Sequence, residues 1–208
     1  MEAKKAKTDG GAPGGVGISE ALAPYAAAFC SEEAEADASS FLTFMCKGAD
    51  GAMETTALTR TELWTLSKQA AGVLQAHGLG KGDCVTHYFN ANSYFDFAFR
   101  LGATMIGAIP VTVNWQADTP ERVIYKITST SSKLVLTDVG VPAEVLALIA
   151  SELPAVTVGL AEALLEGVEP IMNKDMCADL GPADTRIIIF TSGTTGMPKG
   201  VKLPYSFV

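Results

Sequence analysis

Residues 187–200 read IIIFTSGTTGMPKG, an apolar run that passes directly into a stretch rich in glycine and hydroxyl groups. The run Ile187-Ile188-Ile189-Phe190 is short and mostly β-branched, the pattern of a strand buried on both sides in a parallel or mixed sheet. The residues after it suit phosphate. Gly193, Gly196 and Gly200 remove side chains where a backbone curls through positive φ and brings N–H groups close to an anion. Ser192, Thr194 and Thr195 add hydroxyl donors, Lys199 adds a point charge, and Pro198 limits the freedom lost when a ligand binds. A Walker A loop is excluded, because neither Gly193 nor Gly196 stands at the required distance before a Gly-Lys-Ser/Thr triplet. Val201-Lys202-Leu203 alternates as a strand does, so the stretch reads as a loop between two strands with no helix dipole behind it. The plainer alternative is a Ser/Thr/Gly-rich surface turn; ten consecutive fitting residues after a buried-type strand stand against it.

Working back from this loop, strands and helices alternate. A short Ala-rich helix is expected from about residue 21, then strands near 41–46 and 54–58 around the turn Gly48-Ala49-Asp50-Gly51. Thr59 and Glu62 form a capping box, and Leu63, Leu66, Ala70, Val73 and Leu74 keep helical spacing up to Gly78. Strand-like residues 84–89, a helix with Phe95, Ala98, Phe99, Gly102 and Met105 on one face, and strand-like residues 108–113 read as a βαβ unit. Thr119-Pro120 opens another helix, buried through Val123, Ile124 and Ile127; a strand at 133–137, a helix at 142–153 and a strand near 155–158 come next. Residues 160–185 hold a short helix and an irregular connection broken at Gly181-Pro182. The fold class is therefore α/β, layered βαβ units on a parallel or mixed sheet covered on both faces. Residues 1–20 read as a flexible tail and 21–208 as the folded part. Gly78-Leu79-Gly80-Lys81-Gly82 comes after a helix and not a strand, so it reads as a turn. Trp64, Trp115 and the set Tyr94, Phe95, Phe97 and Phe99 read as packing residues.

Composition narrows the function. With 48% hydrophobic and 18% charged residues the chain is ordinary for a globular protein, and 208 residues can bury roughly 70% of the unfolded surface. Fifteen basic against 23 acidic residues give a formal charge of -8, which disfavours nucleic acid. Lys199 and Lys202 are a local positive feature on an acidic protein, suited to a small phosphorylated ligand. Cys30, Cys46, Cys84 and Cys177 are widely spaced and suggest reduced thiols with no zinc site. His77, before Gly78, reads as a capping histidine and His87 as a core histidine. No run reaches the ~18 apolar residues of a membrane span, and residues 1–17 lack the apolar core of a secretory signal, so a cytoplasmic location is expected.

The loop resembles the phosphate-binding signature of the adenylate-forming enzymes, which include acyl-CoA synthetases, coumarate-CoA ligases, luciferases and the adenylation domains of peptide synthetases. The resemblance continues through Leu58-Thr59-Arg60-Thr61-Glu62-Leu63, Gly80-Lys81-Gly82-Asp83 and Gly107-Ala108-Ile109-Pro110-Val111, in the family's order, and spans roughly residues 20 to 208. It implies an ATP-dependent ligase in which a small carboxylic acid attacks the α-phosphorus, pyrophosphate leaves, and a thiol, CoA as co-substrate, takes the acyl group. It assigns Thr191, Ser192, Gly193, Thr194, Thr195 and Gly196 to ATP phosphates, Lys199 to an electrostatic clamp, and Mg2+ to the nucleotide. Where many members carry Ser/Thr-His after the loop, this chain has Pro204-Tyr205, so no imidazole is expected beside the acyl pocket. The family's base-binding segments and catalytic lysine correspond to positions beyond Val208. The chain is thus expected to be the N-terminal portion of such a domain, inactive alone and self-associating through an exposed sheet edge. Two other readings are an adenylation module that loads a carrier-protein thiol and a non-catalytic nucleotide-binding or interaction protein.

Overall fold

Thr59 is the residue at which the chain turns from strand to helix. Its side chain accepts from the Glu62 N–H at 3.2 Å while the Glu62 carboxylate accepts from the Thr59 N–H at 2.8 Å, so both donors are satisfied reciprocally. The expected capping box is therefore present, and it opens α3 (Arg60–Ala76). The structure, a computed structural model, describes residues 18–47, 52–191 and 196–207. Residues 1–17 of the expected tail and the expected turn at 48–51 lie outside the described residues. Within that tail Ser19 is buried, and its carbonyl accepts from the N–H groups of Leu22 and Ala23 at the entry to α1 (Ala23–Cys30). A second short helix, α2 (Glu32–Ala36), is capped by the Ser31 hydroxyl, which accepts from the Ala34 N–H.

β1 (Leu42–Lys47) and β2 (Met53–Leu58) pair as the expected antiparallel hairpin, Leu42 opposite Leu58. The remaining strands form one sheet. β3 (Cys84–Tyr88), α4 (Tyr94–Ile106) and β4 (Ile109–Thr112) make the expected parallel βαβ unit, with Cys84 opposite Ile109. After α5 (Pro120–Thr130), β5 (Leu134–Thr137) returns to the other side of β3; α6 (Ala143–Glu152) and β6 (Thr157–Leu160) extend that side. The short helix α7 (Ala161–Leu164) and an irregular connection lead to β7 (Thr185–Thr191), parallel to β4, and β8 (Lys199–Pro204), antiparallel to β7. The order is β6-β5-β3-β4-β7-β8, a mixed sheet in an α/β architecture.

Two cores hold the layers. On one face Val85, Leu134 and Leu136 pack with Leu74 of α3 and Phe99 and Met105 of α4. On the other, Tyr88 and Val135 pack with Val123 and Ile127 of α5 and Val145 and Ile149 of α6. Each such aliphatic or aromatic side chain contributes about 1.5–3 kcal/mol on full burial. The closest approach of α3 and α4 is at Gly102, where a Cβ would lie 2.7 Å from both the Ala71 nitrogen and the Ser67 carbonyl oxygen. Gly78 and Gly82 have φ of 73° and 86°, as a turn at that site requires. His77 Nδ1 lies 2.9 Å from the Val73 carbonyl at the end of α3, as expected of a capping residue.

Two expectations from the sequence are corrected. β7 is not buried on both faces. Ile188 is buried among Cys84, Ile109 and Val111, but Ile189 is 41% exposed and stands in register with Val201, 42% exposed. Trp115 and Phe97 are 44% and 39% exposed, so they are not the packing residues that Trp64 and Phe99 are; Trp115 stands in the loop after β4 and Phe97 on the outer side of α4. Leu203 is half-buried and Phe207 exposed. Among the described residues no helix is long and apolar enough to cross a membrane.

Candidate functional site

The candidate phosphate loop hangs between two paired strands, as its sequence predicts. Thr191 ends β7 and Lys199 begins β8, the two in register, and the Thr191 hydroxyl donates to the Lys199 carbonyl at 3.5 Å. Ser192, Gly193, Thr194 and Thr195 lie outside the described residues. Gly196 has φ of 106°, a conformation L side chains rarely adopt, and space around its absent Cβ is open. Pro198 is buried and Lys199 exposed. Gly200 corrects the expectation of positive φ. It sits within β8, where a Cβ would lie 3.2 Å from Ile188 Cγ2 and 3.3 Å from Phe190 Cζ, so glycine is needed for space and not for dihedral freedom.

β7 runs parallel to β4, so its carboxyl end meets the connection from β4 into α5. Phe190, Thr191, Gly196 and Pro198 on one side, and Asn114, Asp118, Arg122 and Lys126 on the other, enclose a cleft of about 140 Å³. Lys126 is 3% exposed and pairs with Asp118, 7% exposed; its ammonium also reaches the Thr112 carbonyl at 3.4 Å and lies 5.1 Å from the Phe190 ring centroid. Asp118 additionally accepts from the Asn114 N–H at 2.7 Å. Its charge is thereby engaged internally, and among the described residues Arg122 and Lys199 remain as the exposed cations of this corner. The guanidinium of Arg122 makes a long bond, 3.4 Å, to the Ala117 carbonyl. A cationic corner with backbone donors at the carboxyl end of parallel strands can hold the oxygens of a polyphosphate.

Arg122, Lys126 and Asn114 were not legible as site residues. The only sequence signal near them is the Thr119-Pro120 helix start, which places Arg122 on the first turn of α5; their relation to the loop comes from β4 pairing with β7. Among the described residues no three His, Cys, Asp or Glu side chains converge to hold a metal ion. The histidines stand elsewhere. His87 is buried in β3 with Nδ1 2.6 Å from Asp96, which also accepts from Arg100 Nε at 3.0 Å. Burial, then the Arg100 charge, pushes the imidazole below its usual value and holds it neutral. Tyr205, which takes the place of the imidazole common after such loops, is buried and donates to the Thr104 carbonyl at 2.9 Å. Burial pushes its phenol well up, so it serves as a structural hydrogen-bond donor.

Known proteins share this sequence and fold in part. The rice (Oryza sativa subsp. japonica) 4-coumarate–CoA ligase 3 is 33% identical over 151 residues, covering 71% of this chain and 27% of the rice protein. The long-chain-fatty-acid–CoA ligase FadD13 of Mycobacterium tuberculosis is 31% identical over 147 residues, 69% of this chain and 29% of that protein. The o-succinylbenzoate CoA synthetase of Bacillus subtilis, solved in complex with its acyl-adenylate intermediate, superposes with a TM-score of 0.61 at 25% identity, over 72% of this chain and 37% of that one. The chain thus spans less than a third of the curated relatives it matches. A family model described as "AMP-binding enzyme" matches residues 31–206, from α2 through the whole sheet and both ends of the loop, and the chain belongs to that family.

Proposed function

We propose that this chain supplies the phosphate-binding share of an ATP-dependent ligase that activates a carboxylic acid as an acyl-adenylate and passes the acyl group to the thiol of CoA. The observation that carries the reading is the cleft in which the two ends of the loop, Thr191 and Gly196 with Pro198, stand beside Arg122 and Lys126 at the carboxyl end of β7. Attack of a carboxylate on the α-phosphorus releases pyrophosphate, and negative charge then gathers on the β- and γ-phosphates. Thr191, Ser192, Gly193, Thr194, Thr195 and Gly196 would contact those oxygens through N–H and hydroxyl donors, with Lys199 as an electrostatic clamp. Magnesium would arrive on the nucleotide, since the described residues offer no ligand cluster for it.

Because the chain spans 27% of the rice ligase, it is assigned this share of the reaction and not the whole. The test is carboxylate-dependent ATP–pyrophosphate exchange, run on the 208-residue chain and on a chimera in which it replaces the matching segment of the rice protein. The chain alone should give no sustained exchange and the chimera should. Lys199→Ala should slow the chimera by two to three decades, the effect of removing one preorganised donor worth about 2.7–4 kcal/mol. Exchange unchanged by that substitution would remove Lys199 from the mechanism.

A further inference from the structure

A second cleft, about 330 Å³, opens at the carboxyl ends of β3 and β5. These neighbouring strands send their connections to opposite faces of the sheet: α4 joins α3 on one, α6 joins α5 on the other. Such a divergence leaves a crevice beyond the strand ends, and this volume is within the range of small-molecule sites. The crevice stands two to three strand intervals from the phosphate loop, roughly 10–14 Å across the sheet.

Its walls are aromatic and tied in place. Phe44 of the β1–β2 hairpin meets the edge of Tyr94 at 6.1 Å between ring centroids, and Tyr94 lies 4.2 Å from Phe95. Asp138 accepts from the N–H groups of Asn90, Ala91 and Gly140 at 3.0, 3.1 and 3.0 Å, while Asn90 Nδ2 donates to the Gly140 carbonyl at 2.7 Å. The two loops that form the crevice are thus laced to each other, which lowers the ordering cost of a ligand. The cleft also has a sign. Among the described residues no Lys, Arg or His lines it; its charged residues are Asp138, engaged with the backbone, and Glu162, exposed at the rim. Glu162 and Tyr94 line the same cleft, and burial, then Glu162 and Cys46, pushes the Tyr94 hydroxyl up.

We propose that this cleft binds a small aromatic amine, its ring among Phe44, Tyr94 and Phe95 and its ammonium at Glu162. An aromatic wall attracts a cation through its π faces, and the carboxylate adds a direct pairing. The same charge disfavours a carboxylic acid or a nucleotide, which makes this site distinct from the phosphate corner and independent of the function proposed above.

The experiment titrates the 15N-labelled 208-residue chain with three compounds that share one ring: tryptamine, the neutral alcohol tryptophol and the acid indole-3-acetate. Tryptamine should shift the amides of Ser93, Tyr94, Gly140 and Ala161 and bind at least about tenfold more tightly than the acid. It should also slow alkylation of Cys46, an exposed thiol on the wall. Glu162→Gln should reduce the preference for tryptamine over tryptophol to what the aromatic wall alone gives while the same amides still move, and Ala91→Trp, at the cleft's lining, should abolish all shifts with the spectrum otherwise dispersed. Silent amides at these positions overturn the site. An acid that binds as tightly as the amine overturns its assignment to amines, and a preference undiminished in Glu162→Gln overturns the pairing with Glu162.

Discussion

His87 and Asp96 face each other at 2.6 Å from β3 and the first turn of α4, and Arg100 Nε donates to both oxygens of the same carboxylate. Burial works to raise the Asp96 carboxyl, but the hydrogen bond from His87 and the charges beside it hold the group below its usual value of 3.8. His87 is displaced downward from 6.5. The signs give two windows. The unfolded chain binds a proton at His87 below about pH 6.5 that the folded chain refuses, so stability falls as pH drops from there; the Asp96 contribution is lost only below about pH 3.8. Urea midpoints between pH 7 and 5 should slope by up to about 1.4 kcal/mol per pH unit on account of His87, and His87→Asn should flatten that slope. Parallel slopes in both proteins would assign the acid sensitivity elsewhere.

Lys126→Met should destabilise the chain by about 3–5 kcal/mol, because it strands the buried Asp118 carboxylate. The double variant Lys126→Met/Asp118→Asn should regain much of the loss, since an amide oxygen can still accept from the Asn114 N–H. Chemical denaturation of both variants measures this, and a double variant no better than the single would refute charge stranding as the cause.

For Gly102→Ala two effects oppose. Alanine gains about 1 kcal/mol in helix propensity. The added carbon would meet backbone atoms at 2.7 Å on α3, which cannot swing aside as side chains do. Overpacking of this kind costs about 1–3 kcal/mol, so a net loss of stability is expected, with α3 and α4 amides exchanging faster with deuterium. A stabilised variant would mean the helices separate at little cost.

Arg122→Ala should weaken binding of inorganic pyrophosphate about tenfold in calorimetric titration, with thermal stability changed by no more than about 0.5 kcal/mol. Its side chain is exposed and held by a long hydrogen bond, so the fold does not depend on it. Unchanged affinity would separate this residue from the phosphate corner.

Much of the fold was legible because local chemistry and tertiary structure agree. The capping box at Thr59, the proline after Thr119 and the alternation of short apolar runs with amphipathic helices mark their elements from within. What escaped depends on neighbours. Ile187-Ile188-Ile189 has the composition of a doubly buried strand, yet Ile188 is buried and Ile189 is exposed. Gly200 looks like a loop glycine, and only the pairing of β7 with β8 shows it making room for Ile188 and Phe190. Tyr205 looks like a departure at the site, and only its contact across about a hundred residues with Thr104 shows it to be a strut. The same holds for Arg122, which nothing local connects to a loop some 70 residues later.

Thr191 and Lys199 stand opposite each other as the last ladder pair before the loop, so the seven residues between them depart and return within a single strand spacing, about 4.8 Å. That closure separates two kinds of change. Substitutions or added residues between 192 and 198 alter what the loop offers to a ligand while the hydrogen-bonded ladder below keeps its register. A one-residue slip below the pair would turn Ile188 outward and Ile189 inward. Sequence change can therefore accumulate between the two strands without unsettling the sheet, whereas the residues of the ladder tolerate little.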